Sequence, residues 1–280
     1  MNWNIVADSS IDLFKLEQEF DNINFITVPF TMTVGDKQFV DDESMDIPAL
    51  MAAMKESKTA SSSACPAVGA WLEHFEKDGN VIAITITSNL SGSYSSACAA
   101  KDIVAEKYPE KNIHVIDSLS VGPEMNLVIR EVCRLISEGR SFEEVTKGAA
   151  DYAQTTRCSF ALLSFDNLVK NGRMSKLKGF VANTLGLCGV GIASEIGTIE
   201  IKGIGRGRKK ALKIVIDDME ERCVNGVSHV VIDHCLNEKF TEEVRSAVLE
   251  KWPEAEVRSL PCRGLCSYYA EMGGLIIGFC

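Results

Sequence analysis

Hydroxyl side chains collect at three places in this chain where one run of sequence gives way to another. Residues 4–7 form a short apolar run that leads straight into Asp8-Ser9-Ser10. Thr59-Ala60-Ser61-Ser62-Ser63-Ala64-Cys65-Pro66 lies between two helix-like stretches, and the apolar run 81–86 leads into Thr87-Ser88-Asn89-Leu90-Ser91-Gly92-Ser93-Tyr94. Asp and Ser are ordinary helix N-caps, which is the simpler reading of Asp8-Ser9-Ser10. The 59–66 segment reads either as a Ser-rich loop with one capping serine or as an anion cradle, since a helix start offers unpaired N–H donors and partial positive charge. In the third segment a strand again ends in hydroxyls at a helix start. Two such segments converging without a strongly basic side chain between them would suit a single carboxylate.

Several chemistries are unsupported. Neither a G-x-x-x-x-G-K-[ST] nor a G-x-G-x-x-G pattern occurs, so nothing here cradles a nucleotide's phosphates. A serine hydrolase using Ser91 or Ser63 as nucleophile is the alternative enzyme reading; it requires an activating base, and no G-x-S-x-G elbow accompanies the four histidines at 74, 114, 229 and 234. His234 reads as structural. Ten cysteines are scattered through apolar runs, as reduced buried thiols would be, and only Cys262 and Cys266 stand at a short spacing. That excludes a structural zinc site and leaves a redox role resting on that one pair. Arg173, Arg206 and Arg208 are suited to bidentate anion recognition, whereas Lys209 and Lys210 read as a solvated helix face.

The elements that must position these groups follow from periodicity. Residues 4–7, 25–28, 81–86 and 114–116 read as strands separated by helical patterns, which predicts a largely parallel α/β/α arrangement in the N-terminal part. Asp46 before Ile47-Pro48, and Ser141-Phe142-Glu143-Glu144 with capping-box spacing, mark helix starts. Further on, strands are expected at 159–163, 191–196, 199–204, 230–232, 256–260 and 275–279, with helices at 208–222 and 241–251. A hairpin around Glu195-Ile196-Gly197-Thr198 makes this second sheet mixed. Two α/β domains, 1–158 and 159–280, are therefore expected, with an intimate interface where a ligand cleft could form.

At 280 residues the chain is long enough to bury a ligand between two domains. Its 29 basic and 39 acidic residues, a net charge of −10, would repel a nucleic-acid backbone. No apolar run approaches the ~18 residues of a membrane span, and the first residues carry neither a basic start nor a signal-like core. A cytoplasmic protein is expected.

The order and spacing of Asp8-Ser9-Ser10, Ser63-Ala64-Cys65-Pro66, Leu90-Ser91-Gly92-Ser93-Tyr94 and Ile116-Asp117-Ser118 resemble the bacterial DegV family. Asp166-Asn167-Leu168-Val169-Lys170-Asn171-Gly172-Arg173 and Arg206-Gly207-Arg208-Lys209-Lys210-Ala211 extend the resemblance over nearly the whole chain. It implies a two-domain protein that buries a long-chain fatty acid in an apolar tunnel and presents the carboxylate to a separate fatty acid kinase, which makes acyl phosphate for phospholipid synthesis. The chain itself would then be no enzyme and would need no cofactor or metal, and transient contact with a membrane surface is compatible with that role. By position, Ser63 and Ser91 are the expected carboxylate contacts. Ser62, Ser93, Arg173, Arg206 and Tyr269 are the residues expected to support them or a phosphate. The chain departs from the family's pattern in three places: Ser63-Ala64-Cys65-Pro66 stands for Thr-Ser-Gln-Pro, Asn171 replaces the first glycine before Gly172-Arg173, and Tyr269 stands near the family's C-terminal histidine. A phenol donates hydrogen bonds but carries no positive charge.

Overall fold

The computed structural model describes residues 2–174 and 186–280. Apolar runs flanked by helical patterns become a four-stranded parallel sheet. Its strands are β1 (Trp3–Asp8), β2 (Ile23–Val28), β6 (Asn80–Thr85) and β7 (Ile113–Asp117), in the order β2-β1-β6-β7. Between β2 and β6 run β3 (Thr31–Val34), β4 (Lys37–Val40), α1 (Ile47–Glu56), β5 (Ser61–Ala64) and α2 (Val68–Phe75). Then α3 (Ser93–Lys107) joins β6 to β7, and α4 (Pro123–Ser137) and α5 (Phe142–Ala153) follow β7.

Helices cover both faces of the parallel sheet because both faces are apolar. On one side Trp71 and Phe75 of α2 and Ala97, Ala100 and Val104 of α3 pack on Val6, Val81 and Ala83. On the other, Met125, Val128, Ile129 and Val132 of α4 pack on Ile5, Ile82 and Ile84. The expected caps form. The Asp46 side chain accepts from the Ala49 N–H at 2.9 Å, and Ser141 and Glu144 make the reciprocal bonds of a capping box.

The remaining elements are β8 (Arg157–Leu162), α6 (Asp166–Lys170), β9 (Leu187–Ala193), β10 (Ile199–Arg206), α7 (Arg208–Arg222), β11 (His229–His234), α8 (Glu238–Lys251), β12 (Glu256–Pro261), α9 (Gly264–Ala270) and β13 (Leu275–Phe279). Here the sheet is mixed, in the order β10-β9-β8-β13-β11-β12. Among the described residues of this sheet only β11 and β12 pair in parallel; the other neighbours are antiparallel. Strand β9 ends at Ala193, three residues before the expected end at 196, because Ser194 closes the hairpin turn, its N–H donating to Thr198 O at 2.9 Å. Helix α8 begins at Glu238 rather than 241, since the Asn237 side chain caps it by accepting from Phe240 N.

The largest difference from the sequence reading is the small antiparallel sheet β4-β3-β5. Ser61–Ala64 is neither a loop nor a helix cap but an edge strand, paired Thr31↔Ala64, Met32↔Ser63, Thr33↔Ser62 and Val34↔Ser61. Helix α2 starts at Val68, and its N-cap residue Ala67 gives no side-chain cap, so the serines do not gather at its N-terminus. Strand β3 supplies the hydrogen-bonding edge that overrides the low strand propensity of serine. The two-residue Gly35-Asp36 turn joining β3 to β4 was a readable hairpin signal.

Candidate functional site

Alternation along β5 separates its serines: Ser62 is exposed, while Ser61 and Ser63 share the inward face. That face meets α9. The Ser63 and Tyr269 hydroxyls lie 2.8 Å apart, and those of Ser61 and Tyr268 lie 2.7 Å apart. Asn171 Nδ2 also donates to the Tyr268 hydroxyl at 3.0 Å, tying the turn after α6 to the same place. The Tyr268 and Tyr269 rings stand edge to face with centroids 4.9 Å apart.

What aims α9 is a buried carboxylate from the other half of the chain. Asp41 accepts from the N–H groups of Gly264 at 2.7 Å and Leu265 at 2.9 Å, the otherwise unpaired donors of that helix start. Ser9 Oγ donates to Asp41 at 2.8 Å, and Arg263 stands 3.5 Å away as its counter-ion. Burial raises the Asp41 pKa, and Arg263 opposes that rise.

The second hydroxyl segment arrives from the carboxyl end of β6, where open parallel sheets bind ligands. This segment approaches the residue that follows β5: a Cβ built on Gly92 would lie 3.4 Å from Cys65 Sγ. Ser91 Oγ accepts from Ser93 N at 3.2 Å. Arg173 donates from Nε to Leu90 O at 3.2 Å and from Nη1 to Asn171 O, and is half-buried. Burial raises the Tyr269 pKa, while the Ser63 hydrogen bond and the Arg173 charge pull the other way. The phenol therefore stays protonated at neutral pH and can donate.

Ser63, Ser91, Arg173 and Tyr269 line one cavity of about 330 Å³. Its interior is apolar, with Phe30, Ile86, Val121, Phe160, Leu162 and Ile276 among its walls. Strand periodicity explains one wall: Cys158, Phe160 and Leu162 face the cavity from β8. Ser159 and Ala161 face the opposite side, where Ser159 donates to the buried Asp218 at 2.6 Å and Ala161 joins the α7 core. The turn of the β9–β10 hairpin closes over the β6 end. Asn89 Nδ2 donates to Ile196 O at 2.6 Å, and a Cβ on Gly197 would lie 2.2 Å from Thr87 Oγ1, so only glycine fits there.

The other expected residues lie elsewhere. Ser93 is fully buried, its hydroxyl donating to Asp8 Oδ2 at 2.6 Å. Asp8 also accepts from Ile86 N at 3.0 Å and caps the turn that follows β1, as the simpler reading of Asp8-Ser9-Ser10 expected. Arg206 is exposed at the far end of β10, roughly 20 Å along the strand from the cavity-lining Ile199. Arg208 pairs with Glu243 at 3.6 Å, and His234 accepts from Asn237 N at 3.3 Å in a structural role. Among the described residues no three His, Cys, Asp or Glu side chains are placed to hold a metal, and no helix is long and apolar enough to cross a membrane. Sequence reasoning missed Ser61, Tyr268 and Asn171, whose roles rest on long-range contacts. The inward alternation Ser61/Ser63 would have been readable had the strand been recognised.

The model of the DegV family of uncharacterised proteins matches residues 2–279. A DegV domain-containing protein of Streptococcus pneumoniae is 43% identical over 279 residues, covering 100% of this chain and 99% of its own length. Among solved structures, the S. pneumoniae Fatty Acid Kinase (Fak) B3 protein loaded with linoleic acid is similar at 42% identity and a TM-score of 0.95, covering 100% of this chain and 99% of that one. A protein from Eubacterium eligens loaded with heptadecanoic acid is similar at 35% identity and a TM-score of 0.92, covering 99% of this chain and 98% of that one.

Proposed function

The chain belongs to the DegV family, and on that premise we propose that it is a non-catalytic carrier that buries a long-chain fatty acid and presents its carboxylate to a fatty acid kinase for acyl phosphate formation. The observation that carries this reading is the amphipathic layout of one cavity: apolar walls over most of its length, and Ser63, Ser91, Tyr269 and Arg173 together at one part of it. Each methylene buried is worth roughly 0.8 kcal/mol, so a long acyl chain offers about 10 kcal/mol before association costs. The tail supplies affinity. The head group needs hydrogen-bond donors, because a buried unpaired carboxylate is costly. Ser63 and Ser91 hold the carboxylate, Tyr269 donates beside them, and Arg173 supplies the nearby positive charge for a carboxylate or the acyl phosphate.

The ligands named for the Fak B3 and E. eligens structures support this reading, and the name of the former supports a kinase partner. Transfer of the phosphoryl group belongs to that partner. The test is denaturing extraction of the purified protein with mass spectrometry of the released lipid, beside a Ser63→Ala, Ser91→Ala double variant. Near-stoichiometric fatty acid in the wild type and less in the variant is expected. If no acyl chain is released, and added fatty acid neither binds nor raises the melting temperature, the carrier reading fails. Turnover of an acyl ester by the chain alone would move the serine hydrolase reading ahead of it.

A further inference from the structure

Phe160 stands opposite Gly191 of β9 on one side and opposite Ile276 of β13 on the other. Its ring leans across β9. A Cβ built on Gly191 would lie 2.3 Å from the ring's Cζ and 2.4 Å from Cε2, closer than carbon atoms can stand. The neighbouring space is also taken. The Phe165 ring meets Phe160 edge to face at 6.3 Å between centroids, and it occupies the room left by Gly189, where a Cβ would lie 2.2 Å from it. With Ile276 on the other flank, a displaced Phe160 ring would have to move into the cavity, which it already lines. Successive cavity-facing residues of β8 are spaced by about 7 Å, so Phe160 stands midway along the wall between Leu162 and Cys158.

We propose that Gly191 and Phe160 together are a specificity determinant: the missing side chain at 191 lets the ring lie down on β9, and this sets the cross-section available to the middle of an acyl chain. The inference rests on the carrier reading and deepens it. Chains that are wide at mid-length, such as those kinked by a cis double bond, depend most on the ring's position. A straight saturated chain depends on it less.

The test uses delipidated full-length protein titrated with stearic and oleic acid. Gly191→Ala should weaken both, oleic acid more, by about tenfold or more, the scale of overpacking a filled site. Phe160→Ala alone should raise the ratio of oleic to stearic affinity by about threefold or more, as a pocket responds to roughly one methylene's worth of space. The Phe160→Ala, Gly191→Ala double variant should recover binding, because the displaced ring is gone. A Cβ at 191 would also lie 2.7 Å from Glu200 O of β10, a contact the double variant keeps, so recovery in that variant assigns the loss to the ring. Failure to recover, or wild-type affinity in Gly191→Ala, would overturn the proposal. If Gly191→Ala does not fold, the Phe160→Ala ratio decides, and an unchanged ratio overturns it. Wild-type protein that binds neither acid would instead sink the carrier reading itself.

Discussion

The hydroxyls of Ser63 and Tyr269 lie 2.8 Å apart although 206 residues separate them in the chain. An edge strand from one half and a short helix from the other thus meet at the polar part of an otherwise apolar cavity. Tyr269→Phe keeps the ring and removes the donor. It is expected to weaken fatty-acid binding by about 1.5–3 kcal/mol, the worth of a hydrogen bond to a charged group, with little change in melting temperature. Isothermal titration of delipidated protein checks this, and unchanged affinity would remove Tyr269 from the head-group site.

Ser93 behaves differently, because its hydroxyl is already given to Asp8. Burial raises Asp8 to about 6 even with several donors around it, so the loss of one donor leaves a poorly satisfied group. Ser93→Ala should destabilise the fold by roughly 1–3 kcal/mol while the folded fraction keeps its affinity for fatty acid. Chemical denaturation and ligand titration of the same sample separate the two effects.

Asp12 and Asp233 face each other, fully buried, next to Gly122 and Cys266. Burial raises both, Asp12 to about 7 and Asp233 well above the usual carboxylate range; the neighbouring Asp12 raises Asp233 further, whereas the hydrogen bond with Asp233 pulls Asp12 down. In the unfolded chain these groups ionise near pH 4. A folded-state pKa raised above that value means the folded state holds more protons, so the contribution of Asp12 to stability declines as pH rises from about 4 to about 7, and that of Asp233 falls in the same direction. Asp233→Asn removes the second ionisable group, and the advantage of the variant over the wild type should grow across that window. Melting temperatures taken every half unit of pH give the answer; a constant difference would contradict a raised Asp233 carboxyl.

Cys65 and Cys266 both line the cavity, but Cys65 is half-buried, whereas Cys262 and Cys266 are buried with thiol pKa values raised by burial. A bulky maleimide should therefore label Cys65 in the native protein, and bound fatty acid should slow that labelling. Cys262 and Cys266 should react only after unfolding, since thiolates are the reactive form. Rapid native labelling of Cys266 would show that this region opens.

Much of this protein is determined locally. The β–α alternation of the first half, the helix Arg208–Arg222, the Asp46 cap and the Ser141–Glu144 capping box follow from periodicity and capping chemistry within a few residues, and they stand where the sequence placed them. The hydroxyl-rich segments containing Ser63 and Ser91 were also visible as candidates. Tertiary structure decided the rest, because each remaining choice depended on a partner far along the chain. Ser61–Ala64 is a strand because β3 offers it an edge, and Ser93 is committed because Asp8 lies beside it. Tyr268 and Tyr269 reach β5 because Asp41 caps their helix, and Arg206 is remote because β10 carries it away from the hairpin turn. Residue type and spacing state what a side chain can do; long-range burial and pairing determine which of those possibilities it exercises.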